Sequence, residues 1–191
     1  GKGETSVAEE RLGDLSIATV EQLLLQPIET GRDTEKTFEE VRKHYQSSGN
    51  AVIMVFNVDA VDSFDHIGAL MYMRSALESR IFRDDVQLVK YDDNRVFVVT
   101  KTQASALTAA LQAMLICKEC DERHPKAKFD VRIGIDYGSL LLLPGDYFGD
   151  PVNIASKLGE DTAKPGELCV SAKVLTILES SDDCKFTMDS L

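Results

Sequence analysis

Four sets of residues in this chain have types and spacing that could do chemistry: carboxylates at Asp59 and at Asp92-Asp93, the amide of Asn153 and the ammonium of Lys157. Asp59 closes the apolar run Ala51–Val58, and Asp92-Asp93 lies between two runs of strand character, Val86–Tyr91 and Arg95–Thr100. If these runs share a sheet, carboxylates distant in sequence converge on one rim. Like charges held a few ångströms apart repel unless a cation sits between them. Such a pair suits Mg²⁺, a hard ion that takes oxygen ligands and shares its shell with phosphates. The alternative is two unrelated loop aspartates, Asp59 as a strand-end acceptor and Asp93 as a turn residue. Asn153 and Lys157 fall one turn apart on a helix beginning at Pro151, so a donor amide and a cation point the same way. That pairing hints at a bound anion and also describes a solvated polar face.

Regular elements must position these groups. Residues 1–50 read as an N-terminal helical extension. It holds an apolar cluster, Ile17–Leu25, broken at Pro27, and a helix Thr34–Tyr45 with Phe38, Val41 and Tyr45 on one stripe, ended by Ser47–Asn50. From residue 51 to 191 the pattern is that of one further domain. Ala51–Val58 is a strand, and Asp65–Phe82 is a helix with Ile67, Leu70, Leu77 and Ile81 at helical spacing. Val86–Tyr91 and Arg95–Thr100 form a hairpin around Asp92-Asp93-Asn94. Ala104–Cys120 is a helix and Phe129–Tyr137 a strand, which completes β-α-β-β-α-β, the ferredoxin-like arrangement of an α+β fold. In that topology the third strand lies between the first and second, so the end of the first meets the start of the third. A C-terminal extension follows: a helix with Asp150 as N-cap and Pro151 as first residue, a strand Glu167–Val170, a helix Ala172–Leu178 and a strand near Cys184–Met188. Val152, Ala155 and Gly159 form a small apolar seam on the first of these helices.

Composition narrows the function. A net charge of −11 excludes non-specific nucleic-acid binding, which needs a basic field, but a small nucleotide needs only local cations. No run approaches the roughly 20 apolar residues of a membrane-spanning helix. Cys117 and Cys120 form C-x-x-C late in an apolar helix, with no second ligand pair at metal-site spacing, and read as packed thiols. Free thiols imply a cytoplasmic domain, and a membrane anchor elsewhere in a longer protein is compatible with that. His44, His66 and His124 are isolated from one another and read as surface residues.

The segment Tyr147-Phe-Gly-Asp-Pro-Val-Asn-Ile-Ala-Ser-Lys157 resembles the signature of class III adenylate and guanylate cyclase catalytic domains, and Val131-Arg-Ile-Gly-Ile-Asp-Tyr-Gly138 resembles the strand before it. Gly166–Ser171 is similar to the strand and Ser that follow, and the likeness covers roughly residues 50–180 in order. The resemblance implies a lyase that turns ATP into 3′,5′-cyclic AMP and pyrophosphate, with two Mg²⁺ (or Mn²⁺) per site on Asp59 and Asp93. It implies that Asn153 positions the ribose and Lys157 stabilises the α-phosphate. It also implies that Lys90 and Asp146 read the base as an adenine-type pair, Lys donating to N1 and Asp accepting from the 6-amino group. The metal residues and the Asn/Lys helix would come from opposite protomers of a head-to-tail homodimer, with a regulatory domain upstream.

Three features depart from that pattern. Lys157 stands where Arg is usual and supplies charge without a bidentate fork. Two residues rather than three separate Lys90 from Asp93, and Asp59 falls three rather than two residues after Phe56. Strand side chains alternate, so one residue of slip reverses the face: the turn is remodelled, or Asp92 is the ligand, or Asn94 stands where an Asp belongs. A triphosphate-gripping Lys near the C-terminus has no aligned counterpart. A second reading is therefore a weak or silent cyclase-homology module that dimerises and senses nucleotide. A third, a ferredoxin-like RNA binder, would need exposed aromatics and a basic face, and Val96, Val98 and the acidic total oppose it.

Overall fold

Ala51–Phe56 is apolar at every position, the pattern of a strand covered on both faces. In the computed structural model it is the centre of β1 (Gln46–Ala60), and all six residues are buried. The structure describes residues 34–143 and 145–181. The Ile17–Leu25 cluster, Cys184 and the strand expected near Cys184–Met188 lie outside the described residues.

Helix α1 (Thr34–Tyr45) has the expected bounds and anchors on Val41, which is buried. Instead of ending in a loop at Ser47–Asn50, the chain enters β1 directly at Gln46. The reason is pairing: residues 46–60 all find partners on β4 (Ala127–Leu143), so polar residues are drawn into the ladder. Then come α2 (Ser63–Arg80), β2 (Val86–Asp92), β3 (Arg95–Thr100) and α3 (Gln103–Arg123). After β4 follow β5 (Asp146–Phe148), α4 (Asp150–Lys157), a wider helical turn Leu158–Thr162, β6 (Leu168–Val170) and α5 (Ala172–Ser180).

The strands run in the order β2-β3-β1-β4-β5, antiparallel throughout, with β6 paired parallel to β4. β3 lies between β1 and β2, as the ferredoxin-like reading expects. Alternation in β1 divides the core. Val52, Met54 and Phe56 pack with α2, α3 and α5 through Met73, Leu77, Ile116 and Val174. Ala51, Ile53 and Val55 face the opposite side, where Phe97, Leu140, Tyr147 and Ala155 complete a smaller cluster. Side-chain caps start the main helices: Asp62 accepts from the Asp65 amide (2.9 Å) and Thr102 from the Ser105 amide (3.1 Å). Ser171 caps α5 and donates its hydroxyl to the buried Asp136 carboxylate, which Lys173 Nζ approaches to 3.2 Å.

Candidate active site

Helix α4 lies directly on the sheet, and glycine makes that possible. A Cβ on Gly134 would fall 2.0 Å from the Ala155 carbonyl oxygen and 2.5 Å from the Gly159 amide nitrogen. Backbone therefore meets backbone where the seam of Val152, Ala155 and Gly159 was expected: Ala155 and Gly159 are buried, Val152 is half-buried, and Pro151 is buried in its stead. The helix begins one residue earlier than expected. Gly149 is the N-cap, at φ 138, and Asp150 is the first helical residue, its acidic side chain in the first turn where the helix dipole favours it. A side chain on Gly149 would sit 2.7 Å from the Ser139 carbonyl, so the closeness of β4 selects glycine there. On the outward face Asn153 and Lys157 are both exposed, one turn apart.

The face that carries α4 also carries Lys90 and Asp146. A bulge between Leu88 and Lys90 in β2 is the cause. Leu88 pairs with Val98, and Val98 points into the helix-covered core. In a regular ladder Val89 would pair with Phe97, and Lys90 would pair with Val96 and point that way too. With Val89 bulged out, Lys90 pairs with Phe97 and turns to the α4 face. There its Nζ sits 3.0 Å from Asp146 Oδ1 and 4.9 Å from the centre of the Phe97 ring. Asp146 is itself held, its Oδ1 accepting from the Tyr147 amide at 2.8 Å. Tyr147 is buried edge-on to Phe97 and donates its hydroxyl to the Val98 carbonyl. Burial, with the nearby Asp146 carboxylate acting in the same direction, pushes the Tyr147 hydroxyl far above the usual tyrosine range, so it stays a donor.

At the hairpin rim of the sheet the end of β1 and the start of β3 bound a cleft of about 280 Å³, with Asn57, Val58, His66, Asp93 and Asn94 in its walls. Asn94 Nδ2 donates to Asn57 Oδ1 at 3.2 Å, and Asn57 Nδ2 donates to Asp130 Oδ1 at 3.2 Å, a side-chain chain across three strand ends. Asp93 takes the left-handed position of the turn (φ 55), and its carbonyl accepts from the Arg74 guanidinium at 3.2 Å. Asp92 is paired with Arg95, which also reaches Glu160 at 3.2 Å. Asp59 is exposed, opposite Lys128, and is not among the cleft's walls. The structure thus brings Lys90 to Asp146, keeps Asn153 and Lys157 on one face, and sets Asp93 beside two amides rather than beside Asp59.

Cys117 and Cys120 are buried in the α3 packing and free. Burial pushes their thiols up to about 12 and about 11, which keeps both protonated at neutral pH. The His124 ring packs against Tyr72 at 5.1 Å between centroids.

Residues 94–191, just over half the chain, match the family described as adenylate and guanylate cyclase catalytic domain. The chain belongs to that family. An uncharacterised protein of Mycobacterium tuberculosis is 32% identical over 107 residues, which is 54% of this chain and 26% of the relative. The chain thus spans about a quarter of the length of the curated relatives it matches. Among solved structures, an adenylate/guanylate cyclase/hydrolase from Silicibacter pomeroyi is 26% identical, with a TM-score of 0.59 over 76% of this chain and 89% of that one. The adenylyl cyclase CyaB of P. aeruginosa has a TM-score of 0.61 at 12% identity over 71% and 83% of the two chains, a likeness of fold. The similar structures include adenylyl and guanylyl cyclases. No helix among the described residues of this cyclase domain is long and apolar enough to cross a membrane.

The family is generally divalent-metal dependent. The strand-end cleft of this cyclase domain does not fit a pair of such ions. One carboxylate lines it, two neutral amides stand beside that carboxylate, and no group of three His, Cys, Asp or Glu among the described residues is placed to hold a metal. Sequence reasoning missed Asn57, the β2 bulge and the Arg95–Glu160 pair. The alignment of Asn57 with Asp130 follows only from the β1–β4 register.

Proposed function

We propose that this cyclase domain binds ATP by its adenine ring and converts it to 3′,5′-cyclic AMP slowly. The observation that carries this reading is the Lys90–Asp146 pair, bulged onto the same face of the sheet as α4. An ammonium that donates beside a carboxylate that accepts matches adenine N1 and its 6-amino group. Guanine presents a 6-keto acceptor toward Asp146 and is disfavoured, because a base-reading group left unpaired costs its full desolvation. Asn153 then holds the ribose. Lys157 offsets the negative charge that builds as the 3′-oxygen attacks the α-phosphorus and pyrophosphate leaves. The two halves belong to a head-to-tail homodimer, in which the α4 face of one protomer meets the strand-end cleft of the other.

Turnover is slow for two reasons. Lys157 is a point charge where a guanidinium fork would grip two oxygens, and the cleft offers few charged ligands. The test is formation of cyclic AMP from Mg-ATP and Mn-ATP, with Lys157→Ala as control, beside competition of ATP and GTP for binding. Product no greater than in the control removes the catalytic part of the proposal. Equal affinity for the two nucleotides removes the base-reading part.

A further inference from the structure

Mg²⁺ and Mn²⁺ give up part of a tightly held water shell on binding, so a protein site must return charged oxygens in its place. The strand-end cleft returns little. Asn94 and Asn57 contribute no charge, and the Asn57 oxygen is already an acceptor for Asn94. Val58, one residue short of Asp59, lines the cleft and packs against the helix-side core that holds Phe56. Asp59, two residues past Asn57 on the same face of β1, is exposed opposite Lys128 and is not among the cleft's walls. Of the hairpin carboxylates, Asp92 is neutralised by Arg95, and Asp93 sits in a turn whose carbonyl receives the Arg74 guanidinium.

We infer that the nucleotide-free domain holds no divalent cation pair at this cleft, and that the amide chain Asn94–Asn57–Asp130 is what closes it to them. A divalent ion reaches the site only as its complex with the phosphates of the nucleotide. This inference concerns the cleft and is independent of base reading at Lys90 and Asp146.

Mn²⁺ alone is titrated into the domain without nucleotide, and the free ion is followed by electron paramagnetic resonance. The wild type shows no saturable binding up to millimolar Mn²⁺. Asn57→Asp with Asn94→Asp replaces both amides by carboxylates beside Asp93 and binds Mn²⁺ at least about tenfold more tightly. Asn94→Asp alone serves if the double variant melts early, and it shows the same direction of change. Saturable wild-type binding that Asp93→Ala or Asp59→Ala abolishes overturns the inference. So does a folded carboxylate variant that binds no better than the wild type. Competition of ATP with GTP in EDTA reports on the base pocket separately, so failure of one proposal is distinguishable from failure of the other.

Discussion

Lys90 and Asp146, 56 residues apart in the chain, meet at 3.0 Å because one extra residue in β2 turns the lysine over. Their charge pair is half exposed, so its contribution to folding is small. Its value lies in presenting one donor and one acceptor at fixed positions. Asp146→Ser with Lys90→Glu removes that pattern. The ATP:GTP affinity ratio should fall by roughly tenfold, about the worth of one or two hydrogen bonds, while the melting temperature changes little. An unchanged ratio in a competition assay would show that these residues do not read the base.

Deleting Val89 tests the bulge itself. Without it Leu88 pairs with Val98, Lys90 directly with Phe97 and Tyr91 with Val96, so regular alternation keeps Lys90 on the α4 face. ATP preference should therefore survive the deletion, and a loss as complete as in the double variant would show that the bulged backbone itself, rather than the pairing of Lys90 with Phe97, is required.

Lys157→Arg and Lys157→Ala should move turnover in opposite directions. The arginine supplies a planar fork to the phosphate and raises kcat. The alanine removes the only cation of α4 and lowers kcat by about a hundredfold, the scale of one lost oxyanion donor. Binding affinity for ATP should change less than kcat in both, and the reverse pattern would move Lys157 from the reacting phosphate to general attraction.

Gly134→Ala places a methyl group where the Ala155 carbonyl already lies. Overpacking of this kind costs about 1–3 kcal/mol, and neither backbone has a flexible end that could yield. Thermal denaturation should show the loss, with cyclic AMP formation falling in the same variant because Asn153 and Lys157 move with the helix.

The buried thiols give a pH dependence. The folded values of Cys117 and Cys120, about 12 and about 11, lie above that of an unfolded thiol at about 8.5. Their contribution to stability is complete below the unfolded value and is lost as pH rises through the folded ones. Stability should therefore decline from about pH 9 upward. At pH 8, in a Cys184→Ser background, Ellman's reagent should modify the half-buried Cys169 well before either of them. Equal rates for all three would contradict their burial in α3.

Much of the fold was legible because each element announces itself locally. The hairpin strand Arg95–Thr100 and the helix Thr34–Tyr45 have the bounds that turn chemistry and apolar spacing expect. What stayed hidden depends on pairing between distant strands. Nothing local to Leu88-Val89-Lys90 marks a bulge, since all three suit a strand. Asn57 looks like an ordinary polar residue until β4 brings Asp130 opposite it. The convergence of Asp59 with the hairpin aspartates rested on neighbouring strand ends alone, and at the end of β1 it is Asn57 and Val58 that line the cleft. The Asn153/Lys157 face was readable because helical spacing is fixed by the chain itself.

The contact of α4 with Gly134 leaves no cushion of side chains between helix and sheet. Layers separated by side chains tolerate small slips, because rotamers can adjust to them. Here a slip of even half a residue would drive one peptide group into another. Asn153 and Lys157 therefore ride at a fixed height above β4, and any opening or closing around a bound molecule must carry helix and sheet together as one body.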